Sequence, residues 1–398
     1  MSVLAITRRM KAWLLACITV LALCITVDDS AVAADAPPLR IGVSLSLSGT
    51  YSALGEMQAN AYRLWELHVN GRGGILGRKV EVVIRDDHSS PKTAASLYED
   101  FVRKDKMDFV FGPYSSPITA AIAPIVDRHG YPTLAAGAAS DDIWRQGYTN
   151  VFGMWSPAGR YAVGFLAILS ESKLRQVAIV TVDDIFALSV AEGARKWAPQ
   201  YGLQVTAFVV EPKAHPDMER AANSARKSGA DVLLLAGHFN EALQMRQALK
   251  QIGWRPAAFY ASVGPTLAEY GERLGADADG SFSTSVWESH EQLRLPDSPQ
   301  FLRAFVAAYN VTPSYHAATA YAAGQILERA IIKAGTVDRA AVRQALFSLD
   351  TSSIIGRHAV DRTGVQTKRF PLIVQWQSGK REIVWPPEVK TAAPLLSH

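Results

Sequence analysis

The stretch DFVFGPYSSPITAAIAPIVDRHG, residues 108–130, holds a complete strand–turn–helix unit. The apolar run "DFVFG" (108–112) reads as a buried strand. Pro113 and Tyr114 turn the chain, and Ser115-Ser116-Pro117 opens a helix. Ser116 suits an N-cap, Pro117 suits the first helical position, and Gly130 suits the stop. Between them Ile118, Ala121, Ile122, Ile125 and Val126 recur at i, i+3, i+4, i+7 and i+8, which is one apolar stripe. Pro124 inside the stripe predicts a kink.

The same alternation extends in both directions. Strands are predicted at 39–48, 79–86, 131–136, 176–182, 203–210 and 231–237. They are rich in Val, Ile and Leu with little polar alternation, as expected of parallel strands covered on both faces. Helical patterns lie between them. One carries Met57, Ala61, Leu64, Trp65 and His68 and is closed by Gly71. Repetition on this scale implies a doubly wound α/β fold. Two blocks are visible, roughly 39–153 and 155–283. Three helical patterns follow Pro296 (299–309, 313–334, 338–348), and "FPLIVQWQSGKREIVW" (370–385) reads as a β-hairpin turning at Ser378-Gly379. The joins between blocks are only a few residues long, which suggests strands crossing at a hinge.

Composition agrees with two domains. The chain has 398 residues, a formal charge of +4 and 48% hydrophobic residues, so it is too long for one ordinary core. Lys and Arg are scattered, without an aromatic-interleaved basic stripe, so no nucleic-acid partner is expected. The N-terminus stands apart. Arg8, Arg9 and Lys11 precede an apolar run at 12–27, and small residues follow at 31–34. This pattern reads as a signal peptide over residues 1–34, cut near Ala33 or Ala34, and it implies a secreted protein, free and soluble rather than a lipoprotein, since Leu23 precedes Cys24 where a small residue is wanted. Both cysteines, Cys17 and Cys24, fall within it. The mature chain therefore holds no cysteine, which excludes a thiol enzyme or a zinc–cysteine site.

Open α/β sheets bind ligands beyond the C-terminal ends of their strands. "GPYSSP" sits at such an end, where a helix start leaves N–H groups unpaired and carries partial positive charge. Ser115 and Ser116 add hydroxyls and Tyr114 a ring, a set suited to a carboxylate. The alternative is that Ser116 only caps its own helix. Gly137, Ala138, Ala139 and Ser140 form a second small-residue turn that would admit a ligand close to the backbone, or serve as an ordinary capped turn. Asp183 and Asp184 end another strand and either cap the next helix or face a ligand's cation. His238 ends the strand "DVLLLAG" and is either a site residue or a solvated loop histidine. Trp155, Phe186 and Trp287 either wall a cleft or belong to the core. "GRGGILG" (71–77) has the wrong spacing for a dinucleotide loop and follows a helix, so it reads as a tight turn. No GxSxG elbow, HExxH or paired histidine is present, so no catalytic residue, metal or cofactor is expected.

"NGRGGILGRKVEVVIRDDHSSPKTA" (70–94) resembles the N-x-x-GG-I-x-G…DD-x-x-x-P-x-x-A signature of leucine/isoleucine/valine-binding-type periplasmic proteins. "LRIGVSLSLSGTYSALG", "GPYSS" and "AAGAAS" are similar to that family's first strand and ligand turns. The resemblance spans essentially the whole mature chain. It implies a type I periplasmic binding protein feeding an ABC importer, with two lobes joined by three crossovers: residues 35–154 with 285–358, and 155–284 with 359–398. It implies a monomer, a membrane permease as partner, and an amino acid or related small carboxylate clamped by hinge closure. By resemblance Ser116 binds the ligand's carboxylate beside Ser115, and Ala138 to Ser140 supply further contacts. Asp184, Phe186 and His238 face them from the second lobe, with Tyr114 and Trp155 lining the cleft. Phe186 stands where branched-chain binders place a tyrosine. The glutamate that grips the ligand's ammonium there falls near "YASVGPT" (260–266), which has no acid. Either Asp183, Asp184 or Glu288 takes that role, or the ligand is an aromatic or aliphatic carboxylate or amide without an ammonium. A ligand-sensing role in a receptor system is a further alternative.

Overall fold

A computed structural model describes residues 36–397; the signal-peptide reading of residues 1–34 lies outside them. Strands β1 (Leu39–Leu45), β2 (Val80–Asp86), β3 (Phe109–Phe111), β4 (Thr133–Ala135) and β5 (Val151–Gly153) form a parallel sheet in the order β2-β1-β3-β4-β5. A second sheet contains β6 (Gln176–Val182), β7 (Gln204–Glu211), β8 (Val232–Ala236), β9 (Ala258–Ala261) and β10 (Ser281–Ser285). The hairpin β13 (Leu372–Gln377) and β14 (Lys380–Trp385) extends it, in the order β14-β13-β10-β9-β8-β6-β7. The parallel part of this sheet is β7 to β10, and the hairpin joins it antiparallel. A small antiparallel ladder, β11 (Thr351–Ser353) with β12 (Gly356–His358), is separate from both.

Burial explains which strands were legible. Every residue of β8, Val-Leu-Leu-Leu-Ala, is buried, and such runs stand out in the sequence. β10 reads Ser-Phe-Ser-Thr-Ser and is equally buried. Its hydroxyls are satisfied in place, with Ser283 donating to the Ala261 carbonyl at 2.7 Å and Thr284 to the Tyr161 carbonyl at 2.8 Å. A polar sequence thus forms a central strand because each hydroxyl finds a partner. The turn of the predicted hairpin falls at Ser378 and Gly379, both with positive φ, as a two-residue loop demands.

The helix of the opening stretch runs Ser116–Arg128, through Pro124. It begins one residue earlier than expected. Ser115 occupies the cap position with no side-chain cap bond, and Ser116 is the first helical residue. The reason is that Ser116 Oγ faces the neighbouring turn rather than its own helix.

The chain passes between the sheets after β5, after β10 and after β12. These three crossovers are tied to one another. The Gly153 amide donates to the Gly364 carbonyl at 2.8 Å. The Ser156 hydroxyl donates to the Arg369 carbonyl at 2.7 Å, and the Arg369 guanidinium donates to the Val286 carbonyl. Arg369, on the third crossover, therefore binds both of the others. Burial pushes its guanidinium down to about 9.

Helices Ser298–Tyr309, Tyr315–Ala334 and Arg339–Phe347 return to the first sheet. Tyr315–Ala334 packs along Ser52–Gly71, with the Trp65 indole lying on Gly324. A Cβ at Gly324 would stand 2.2 Å from Trp65 Cδ2. Trp65 is fully buried and cannot retreat. Gly324→Val should therefore lower stability by about 1–3 kcal/mol, the usual cost of overpacking. Urea unfolding checks this, and Trp65→Leu in the same chain should restore part of the loss.

Candidate functional site

Parallel strands deliver their C-terminal turns to one edge of each sheet. On the first sheet these are the turns after β1, β3 and β4. On the second they follow β6, β7 and β8. The two edges face each other, and the residues on them form a buried box.

An unbroken chain of ring contacts crosses from one lobe to the other. On the first side, Tyr51 meets Tyr114 at 5.4 Å between centroids, Tyr114 meets His316 at 5.4 Å, and Trp155 meets His316 at 5.5 Å and Tyr315 at 5.1 Å. On the second side, Tyr161 meets Phe186 at 5.6 Å and Phe186 meets His238 at 5.2 Å. Tyr51 against His238 at 5.1 Å joins the two sides, as does Tyr114 Oη at 3.4 Å from His238 Nδ1. Among the described residues, five polar atoms of this box are buried without a hydrogen-bond partner: Ser115 Oγ, Trp155 Nε1, Tyr161 Oη, Tyr315 Oη and His316 Nε2. The Ser115 hydroxyl lies toward the Tyr51 phenol without completing a bond to it. Burial holds His316 well down, to about 3, so its ring is neutral.

The expected small-residue turn plays a different part. Ser116 Oγ accepts from the Ala139 and Ser140 amides, both at 3.1 Å. Those N–H groups are thus spent on joining the two turns of the first lobe. Gly137 completes the junction, because a Cβ there would sit 2.7 Å from the Pro113 carbonyl oxygen and 2.8 Å from Tyr114 Cα. Ala138 and Ala139 are buried beneath it. Ser140 reaches the other lobe, where its hydroxyl donates to the Ile185 carbonyl and meets Ser189 Oγ, each at 2.9 Å.

Asp184 is fully engaged. One oxygen caps the helix Ile185–Trp197 by accepting from the Phe186 and Ala187 amides at 2.9 and 3.0 Å. The other lies 3.0 Å from His238 Nε2 and 3.5 Å from Lys213 Nζ. Lys213 also reaches Glu241 at 3.2 Å and lies 5.6 Å from the Tyr51 ring centroid across the lobe gap. Glu241 accepts from the His238 amide at 2.9 Å. Burial opposes the charge on each of these groups, but the partners prevail. His238 and Lys213 hold the Asp184 and Glu241 carboxyls below their usual range, and Glu241, Tyr51 and Asp184 raise the Lys213 ammonium. A cavity of about 410 Å³ opens beside this cluster, lined by Thr50, Tyr51 and Ser89 on one side and Lys213, Asn240 and Glu241 on the other.

The structure thus gathers Tyr114, Ser115, Trp155, Asp184, Phe186 and His238 into one place. Ser116, Gly137, Ala138, Ala139 and Ser140 frame it. Asp183 is exposed, Glu288 pairs with Arg381 at 3.4 Å, and Trp287 is core, packed on Phe301 and bonded to Ser298. Sequence reasoning missed Tyr51, Tyr161, Lys213, Glu241, Tyr315 and His316. Glu241 alone had a local signal, since it stands three residues after His238 in a capping box. No cluster of His, Cys, Asp and Glu suited to a metal occurs among the described residues.

The acid dependence of stability follows. Asp184 and Glu241 have depressed values in the fold, so their contribution is present above their ordinary values of 3.8 and 4.5 and is lost as pH falls. His316 at about 3 and His358 at about 4, against 6.5 when free, act in the same direction from a higher pH. The thermal midpoint should therefore decline from about pH 6.5 downward and steepen below about pH 4.5. His358→Asn should flatten the upper part of that decline by about 1.4 kcal/mol per pH unit, one proton's worth. Calorimetry from pH 4 to 8 on both proteins checks it.

Comparison with known proteins places this geometry. A family model described as periplasmic binding protein matches residues 38–381. The Leu/Ile/Val-binding protein homolog 7 of Brucella melitensis is 24% identical over 371 residues, covering 87% of this chain and 91% of that protein. Among solved structures, the branched-chain amino acid transporter substrate binding protein LivJ from Streptococcus pneumoniae, solved with isoleucine, superposes with a TM-score of 0.79 at 22% identity, covering 88% of this chain and 100% of that one. A solute binding protein of an ABC transporter from R. palustris, solved with benzoate, gives 0.75 at 21% identity, covering 91% and 98%. At these identities the structural likeness speaks to the fold.

Proposed function

The chain belongs to the periplasmic binding protein family, and from that premise we propose that it is the extracytoplasmic solute-binding component of an ABC importer, holding an amino acid or related small carboxylate between its lobes. The observation that carries this reading is the set of unpartnered buried atoms at the lobe interface, on Ser115, Trp155, Tyr161, Tyr315 and His316. A buried polar group left unpaired costs roughly 1–3 kcal/mol, so a ligand that supplies the missing acceptors offsets a standing penalty. Four of the five atoms carry an N–H or O–H, and a carboxylate is an acceptor with about four lone-pair sites. The benzoate and isoleucine held by the two solved relatives both carry that group.

Binding works by closure. Tyr114, Ser115, Tyr315 and His316 stand on the first lobe, and Tyr161, Phe186 and His238 on the second, so a solute that touches both favours the closed arrangement by its differential contacts. The three tied crossovers are the hinge about which the lobes open. In this reading the protein works as a monomer in the periplasm and hands its solute to a membrane permease.

Thermal shift with amino acids, oxo acids and aromatic acids tests this. A true ligand at a hundredfold excess over its Kd should add about 2.7 kcal/mol of stability. Ser115→Ala should leave the unliganded protein as stable or slightly more so, because it removes an unpaired hydroxyl. Its affinity should fall about tenfold to a hundredfold, the worth of one hydrogen bond to a charged group. Unchanged affinity would remove the carboxylate from the Ser115 turn.

A further inference from the structure

The Asp184 and Glu241 carboxylates at the cleft already have partners within the chain. Lys213 Nζ lies between Asp184 Oδ2 at 3.5 Å and Glu241 Oε1 at 3.2 Å, and His238 Nε2 lies 3.0 Å from the same Asp184 oxygen. The other Asp184 oxygen is held by two backbone amides, and the second Glu241 oxygen by the His238 amide. The Lys213 ammonium lies 5.6 Å from the Tyr51 ring centroid, so a cation, a pair of anions and an aromatic face are already assembled. That arrangement is what a ligand's α-ammonium would otherwise need. The atoms left unpartnered are of the opposite kind. The serine, tryptophan and two tyrosine positions offer N–H or O–H groups, the neutral His316 ring adds one nitrogen, and no carboxylate is among them.

We infer that Lys213 occupies the ammonium position of this cleft, and that the solute is a small apolar or aromatic carboxylate with no α-ammonium, such as a 2-oxo acid or a benzoate. This rests on the carboxylate-binding reading above and narrows it. An amino acid entering the closed cleft would bring a second cation to carboxylates whose oxygens are already taken by Lys213, the His238 ring and backbone amides, and it would lose its water without gaining a partner. The rings of Tyr114, Trp155, Phe186 and Tyr315 then take the apolar end, while the unpaired donors take the carboxylate.

Matched pairs differing only at the α carbon decide the matter by calorimetric titration. They are 4-methyl-2-oxopentanoate against leucine and phenylpyruvate against phenylalanine, with benzoate as a third acid. The expected result is at least tenfold tighter binding of the oxo acid in one pair, or of benzoate over both amino acids. Lys213→Met should shrink that preference at least tenfold, by freeing Asp184 and Glu241 for a ligand ammonium. Lys213→Arg, which retains the charge, should keep it. Leucine or phenylalanine binding as well as its oxo acid, or better, overturns the inference while leaving carboxylate binding intact. Failure of every acid in the panel overturns the carboxylate reading and the inference with it. The wild-type comparison alone is decisive if the methionine variant does not fold.

Discussion

Two carboxylates cannot be buried between two lobes without cations beside them, and the character of this cleft follows from how that demand is met. An isolated buried carboxylate would neutralise rather than persist. Asp184 and Glu241 stay ionised because Lys213 stands within 3.5 Å of both and backbone amides donate to their remaining oxygens. The cluster belongs to the second lobe, yet the Tyr51 ring from the first covers Lys213. The Tyr51 ring thus gives the ammonium an aromatic face from the other lobe, while the Lys213 side chain stays partly exposed. The charge network is local to one lobe but completed by the other, which is a requirement for any group that reports on closure.

Parallel topology is what brings these residues together from positions far apart in the chain. Tyr51, Ser115, Trp155, Phe186, Lys213, His238 and Tyr315 span 265 residue numbers, from 51 to 315. In β1, β3, β6, β7 and β8 the strands point the same way within each sheet, so their following turns meet at one edge. Tyr315 and His316 arrive differently, at the start of the helix Tyr315–Ala334. That helix is held on the first lobe by the Trp65–Gly324 contact. The back wall of the box thus depends on a packing contact at a glycine well along the helix.

The sheets and most helices were legible because their signals are local. Runs such as Gln-Val-Ala-Ile-Val-Thr-Val declare a buried parallel strand within seven residues, and Ser-Pro before an apolar stripe declares a helix start. The site was legible only in part. Turns that end strands could be named, which found Ser115, Asp184 and His238. What those side chains do could not be read, since it depends on the partner lobe. Ser116 was expected either to face a ligand or to cap its own helix, and its Oγ ties two turns by accepting from the Ala139 and Ser140 amides. Lys213 lies in a loop with no periodicity, and Tyr161 in a short turn after a crossover. Nothing in their neighbours' identity marks either as a cleft residue. β10 was missed for the opposite reason, because its serines carry no hydrophobic signal although the strand is wholly buried.

A hinge must be soft to bending and stiff to everything else, and the bonding of the crossovers suits that demand. Three separate connections could each twist independently. Here Gly153 is bonded to Gly364, Ser156 to the Arg369 carbonyl, and the Arg369 guanidinium to Val286. The bonds run across the strands rather than along them, so the connections move as one band. The guanidinium is spent on a neutral carbonyl, and among the described residues its Nη1 has no partner and no carboxylate pairs with it.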